Sequence, residues 1–109
     1  MTARHRVRLT RGAKVDLRSI EAYLEGNGGS AVAQSFLRDM LETVAKLEIL
    51  PERGSIPAEV QSLNFKNIRQ LSRRPYRIIY QVVNGKVNIL MVVDGRRDVE
   101  PLLMRRLLK

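Results

Sequence analysis

The dipeptide Asn84-Gly85 constrains this chain more than any other pair of residues. It sits between YRIIYQVV (76–83) and KVNILMVV (86–93), two runs dense in β-branched and aromatic side chains. A type I′ turn needs positive φ at both central residues, which Asn and Gly tolerate, and its twist matches that of paired strands. The spacing therefore predicts an antiparallel hairpin with strands over about 75–83 and 86–93, and a further strand over about 65–71. Along the first hairpin strand Tyr76, Ile78, Tyr80 and Val82 share one face; Arg77, Ile79, Gln81 and Val83 share the other. The first face suits a core. The second carries Arg77, whose charge must reach water, a carboxylate or a phosphate. In the last strand the alternation puts Val87, Ile89, Met91 and Val93 together, while Leu90 and Val92 make the other face apolar too.

Upstream, RHRVRL (4–9) alternates as a short strand, and Thr10 is placed to cap a helix. Ala13, Leu17, Ile20 and Leu24 form one helical stripe, which Gly26-Asn27-Gly28-Gly29 ends. Ser30 is read as the cap of a second helix. Its stripe is Ala33, Leu37, Met40, Val44 and Leu47, widened by Phe36 and Leu41 and closed by Pro51. Two stripes with a short link make an antiparallel helical hairpin. Residues 51–64 carry two prolines and read as a surface connection. A short C-terminal helix is expected from Pro101, with Leu102, Leu103, Leu107 and Leu108 on it and Arg105, Arg106 and Lys109 at its negative end. The sum is one α+β domain over residues 1–109. An N-terminal strand is followed by a helical hairpin packed on a twisted antiparallel β-sheet, with a short C-terminal helix. Arg77 is then expected on the sheet face away from the helices, on an open, positive surface.

The chain has no cysteine and one histidine, His5. Disulfides, a thiolate nucleophile and a multi-imidazole zinc site are therefore excluded or disfavoured, and no metal or organic cofactor is expected. No run approaches the ~20 apolar residues of a membrane helix, and no signal segment is visible, so the expectation is a cytoplasmic protein without membrane contact. The net charge of +9 is unevenly spread: residues 1–18 carry +5, residues 19–62 carry −4 and residues 63–109 carry +8. Such segregation presents a field of one sign to a partner, either nucleic acid or an acidic protein; the plain alternative is a solvated basic surface.

Arg69, Arg73, Arg74, Arg77, Arg96 and Arg97 gather near the C-terminal strands, where guanidinium forks could hold phosphate or carboxylate oxygens. Asp98 could instead pair with a neighbouring arginine and organise the turn. Cleavage of RNA would also need a base and an acid. His5, Tyr76, Tyr80, Asp94 and Glu100 are the available groups, each with a plainer structural role. No Ser-His-Asp set and no glycine-rich phosphate loop is present.

With these residues in view, the chain resembles the RelE/ParE superfamily of bacterial toxins from type II toxin–antitoxin modules. VRLTRGAKVDLRSIEAYLE followed by AVAQSFLRDMLETVAKLEILPERG is similar to the long helical hairpin of the ParE branch. IRQLSRRPYRIIYQVVNGKVNILMVVDGRRDVEPLL is similar to the shared core. The resemblance implies a cognate antitoxin, ParD-like or other, that forms a hetero-oligomer with the toxin and sets carboxylates against its arginines. For RelE-like ribosome-dependent messenger-RNA endonucleases it implies an active-site arginine at Arg77 and a second at Arg96 or Arg97. Lys66 and Arg69 match the lysines of the preceding strand approximately. Arg73, Arg74, Arg105 and Arg106 complete the basic set available to a nucleic acid or partner. A C-terminal acid–base tyrosine or histidine has no counterpart in VEPLLMRRLLK, and Asp94 stands where many relatives carry His. Together with the long hairpin, these departures favour the ParE branch, whose members poison DNA gyrase by binding, without covalent chemistry of their own. The alternative is the RelE-like nuclease.

Overall fold

The computed structural model describes residues 4–108 and runs β1 (Arg6–Leu9), α1 (Arg11–Gly28), α2 (Ser30–Ala45), β2 (Ile68–Arg73), β3 (Tyr76–Val83), β4 (Lys86–Asp94) and α3 (Val99–Leu107). Asn84 and Gly85 both take positive φ, 51° and 73°, and close the β3–β4 hairpin as their chemistry requires. Four strands form one sheet in the order β1-β4-β3-β2. Pairing is antiparallel across β2, β3 and β4, but β1 lies parallel to β4, so the expected all-antiparallel sheet is mixed at one edge.

The helical hairpin covers one sheet face. The Thr10 hydroxyl accepts from the Ala13 amide and donates to the Ile89 carbonyl, tying the start of α1 to β4. α1 continues through Gly26, Asn27 and Gly28 and breaks only at Gly29, whose φ of +92° no helix accommodates. Ser30 is therefore the first residue of α2, and Gly29 occupies the cap position without a side-chain bond. Ala13, Leu17, Phe36, Met40, Val44 and Leu47 pack on Ile78, Tyr80, Val87, Ile89 and Val92, so the predicted inner face of β3 is the observed one.

The face of β4 departs from simple alternation. Ile79 pairs with Met91 but Tyr80 pairs with Ile89, leaving Leu90 as an extra residue. This bulge flips the strand beyond it. Val87, Ile89 and Val92 face the hairpin, whereas Met91 and Val93 join Val60, Ile68, Ile79, Val99 and Leu103 in a second core on the opposite face. That face is thus covered, by α3 and by a short helical turn at Ala58–Val60, and not open as the sequence suggested. The 51–64 connection is accordingly part of the packing. Ser55 and Gln70 exchange backbone bonds of 3.0 and 2.7 Å, and the Gly54 amide donates to the buried Tyr80 hydroxyl at 3.0 Å. A Cβ on Gly54 would stand 2.5 Å from the Gln70 carbonyl, so only glycine fits there.

β2 begins at Ile68 and not near residue 65, because Asn67 has φ +64° and breaks the extended chain. α3 starts at Val99, and Pro101 sits in its first turn, where a missing N–H costs no helical bond. Lys109, expected at this helix end, lies outside the described residues. None of the described helices is long and apolar enough to cross a membrane.

Candidate functional site

Between the helical hairpin and the far ends of β3 and β4 runs a groove of about 980 Å³. Its floor is apolar: Phe36 meets Tyr76 edge-on with ring centroids 4.9 Å apart, beside Met40 and Val92. Ile20, Tyr23, Leu24 and Val32 form the helical wall, where Tyr23 is 66% and Val32 46% exposed. Arg73, the last residue of β2, and Arg74, Arg96 and Arg97, on the turns that follow β2 and β4, form the opposite rim. An apolar trough with a cationic rim complements an amphipathic segment bearing carboxylates.

The rim arginines are not equivalent. Arg73 reaches across to Asp39 at 3.1 Å, and Arg96 grips Asp94 through Nε at 3.0 Å and Nη2 at 2.6 Å. Arg74 and Arg97 are exposed and form no ion pair among the described residues, which leaves their forks available. It is Asp94, and not Asp98 as the sequence suggested, that organises this turn. The Arg96 side-chain and backbone bonds hold the Asp94 carboxyl down at about 2, below its ordinary 3.8. An NMR titration should find that midpoint. In Arg96→Gln it should rise toward 3.8 without reaching it, because the residue-96 amide still donates to Oδ1.

The other sequence-derived residues lie elsewhere. Arg77 is on the covered face, with its side chain only 19% exposed. Its Nη1 and Nη2 each meet a Glu59 carboxylate oxygen at 2.8 Å, and its Nε donates to Gln70 Oε1 at 2.7 Å. The fork therefore already has its anion, supplied by the chain itself. Bonding to Glu59 raises the Arg77 pKa, and the same contact lowers that of Glu59. Arg69 donates to the Gly54 carbonyl at 2.8 Å and braces the connection. Lys66 is exposed before β2, away from the groove. Arg106 pairs with Asp16 and donates to the Leu90 carbonyl, while the exposed Arg105 borders a smaller depression beside Arg97.

The structure thus unites Arg73, Arg74, Arg96 and Arg97 and separates Arg77 from them. Sequence reading missed the apolar half of the site. Tyr23 and Val32 fall off the helical stripes, and that was the available signal. Among the acid–base candidates, His5 is tied to the Glu48 carbonyl, and burial pushes the Tyr76 hydroxyl pKa up. Among the described residues no group of three His, Cys, Asp or Glu side chains could hold a metal.

A strand, a helical hairpin on a four-stranded sheet and a short terminal helix define the class of RelE/ParE-type toxins. Residues 7–99 match the family described as the ParE toxin of type II toxin–antitoxin system, parDE, and the chain belongs to that family. It is the toxin component of such a pair, with an antitoxin as its partner. In fold it is similar to a chain of the chromosomal ParDE toxin–antitoxin system from P. aeruginosa, with 22% identity, a TM-score of 0.67 and 83% and 95% of the two chains covered. It is also similar to a chain of the RelBE2 toxin–antitoxin complex from Mycobacterium tuberculosis, with 21% identity, a TM-score of 0.60 and coverage of 86% and 94%. No curated protein matches the chain.

Proposed function

We propose that this toxin acts by binding and poisoning DNA gyrase, and that its antitoxin neutralises it by laying an apolar, carboxylate-bearing segment in the groove. The observation that carries the first half is the state of Arg77. A nuclease of this fold would need that guanidinium for a phosphate, yet Glu59 holds it in a two-pronged ion pair with both oxygens at 2.8 Å. Substrate phosphate would have to displace a carboxylate that is itself largely buried. Arg96 and Arg97, the alternatives for the second arginine of a nuclease reading, both line the groove, whereas Arg77 does not. The groove supports the second half: exposed Tyr23 and Val32 offer apolar contact, and Arg74 and Arg97 offer free forks.

The test is a supercoiling assay with purified gyrase, run beside ribosome-bound message at equal toxin concentration. Lost supercoiling with trapped cleaved DNA and intact message is the expected result. Cut message with unaffected gyrase would overturn the reading and assign the chain to the ribosome-dependent nucleases.

A further inference from the structure

Beside the groove lies a second, smaller depression of about 250 Å³, flanked by α3 and the edge of β4. Asp16, Val92, Val93 and Arg97 line both cavities, so the two adjoin along that edge. Arg105 and Arg106 of α3 border the smaller one and not the groove. The walls of the depression thus carry three arginines and one carboxylate. That carboxylate is already bound through both oxygens: Asp16 Oδ1 accepts from Arg106 Nη2, and Oδ2 from Arg106 Nη1 and the Val92 amide. Arg97 and Arg105 have no anion of their own. Both are exposed, and neither enters an ion pair among the described residues. The Arg105 side chain makes one long bond, from Nε to the Pro101 carbonyl at 3.4 Å, which leaves both of its Nη groups unused.

Helix electrostatics account for only part of this cluster. Arg105 and Arg106 stand in the last turn of α3, where the macrodipole favours cations. Arg97 precedes the N-cap Asp98, at the end of the helix where a cation is disfavoured. Helix stability therefore does not explain why a third guanidinium borders the depression. Two unpaired forks beside one that is satisfied suit one added carboxylate, which either fork can hold through paired hydrogen bonds. The hollow has about a quarter of the groove's volume, enough for a side chain and too little for a helix. The partner of a type II toxin is a polypeptide antitoxin, whose anions are Asp and Glu side chains.

We infer that the antitoxin segment lying in the groove continues past Asp16 along the β4 edge and sets an Asp or Glu carboxylate in this depression, between Arg97 and Arg105. The inference rests on the groove half of the proposed function. It adds Arg105, which lies outside the groove, to the residues that set antitoxin affinity.

Isothermal titration calorimetry of the full toxin with its cognate antitoxin tests it. Arg105→Gln should weaken binding about 10-fold, the scale of one charge-assisted hydrogen bond lost. Arg105→Lys should recover little of this, because an ammonium keeps the charge and not the fork. Tyr23→Ala reports on the groove wall separately and should also weaken binding about 10-fold. The control Arg53→Gln/Lys66→Gln removes two exposed charges that border neither cavity and should bind as the parent does. Circular dichroism restricts the comparison to folded protein. Parent-like affinity in Arg105→Gln with weakened binding in Tyr23→Ala overturns the inference and leaves the groove reading standing. Parent-like affinity in both overturns the groove reading and the inference with it. An equal loss in the control overturns it in favour of a diffuse field of charge. If Arg105→Gln spares antitoxin binding and abolishes a stabilisation of the toxin by inorganic phosphate, the depression belongs to a phosphate and the inference falls.

Discussion

Replacing Arg77 with alanine is expected to destabilise the fold by about 2–3 kcal/mol, which for a domain of this size lowers the unfolding temperature by roughly 10–15 °C. The change removes three hydrogen bonds, two to Glu59 and one to Gln70, and strands a carboxylate that is only 20% exposed. Glu59 lies in the short turn whose neighbour Val60 fills the second core, so the ion pair pins the 51–64 connection to the sheet. Arg77→Met/Glu59→Leu should recover much of the loss, because apolar residues remove both charges together. The pair also sets an acid limit. Bonding to Arg77 holds Glu59 below its ordinary 4.5, so its contribution is complete above pH 4.5 and fades as pH falls through the lower, folded value. Chemical denaturation across that range should show the parent losing stability that Arg77→Ala never had. If the toxin poisons gyrase as proposed, that activity, corrected for folded fraction, should be unchanged in Arg77→Ala. A loss of activity without loss of fold would mean that the arginine acts directly on the target.

What the sequence disclosed follows from how local each signal is. The Asn84-Gly85 turn, the Thr10 cap and the inner face of β3 depend on neighbouring residues, and each stands where the pattern put it. Three features depend on contacts remote in sequence, and these were not legible. The Leu90 bulge reverses the faces of Met91 and Val92 without any glycine or proline to announce it. Glu59 is 18 residues from Arg77 and reads as one acid in a proline-bearing connection, so nothing local marks it as the partner of a strand arginine. The groove was half visible. Its arginines were evident from charge, whereas its apolar wall consists of residues such as Tyr23 that miss the core stripe and acquire meaning only when α1 is laid beside β4.

Asp16→Ala is the second substitution with a large expected effect, about 3 kcal/mol. β1 ends at Leu9, opposite Ile89, so the edge of β4 beyond that point has no strand neighbour. Asp16 stands in for one. Its Oδ2 accepts from the Val92 amide at 2.9 Å and from Arg106 Nη1 at 2.9 Å, and its Oδ1 accepts from Arg106 Nη2 at 2.7 Å. Arg106 in turn donates to the carbonyl of the bulged Leu90 at 2.6 Å, and Gly12 leaves room for the guanidinium, which an added Cβ would approach to 2.9 Å. One carboxylate thus joins α1, α3 and the bulge, and alanine would leave a strand amide and a half-buried guanidinium short of partners. Asp16→Asn keeps an acceptor for Val92 and Arg106 Nη1 but loses the charge and the bond from Arg106 Nη2, which its amide N–H₂ would face as a second donor, so it should cost about 1–2 kcal/mol. Hydrogen exchange separates the two. The Val92 amide should lose its protection in Asp16→Ala and keep most of it in Asp16→Asn. Equal protection in both would show that the edge is held by something other than this carboxylate. Because Asp16 and Val92 also line the groove, the latch that closes the sheet edge fixes the floor on which a partner segment would lie. Asp16→Ala should therefore weaken antitoxin binding in proportion to the loosening of β4, without touching any rim arginine.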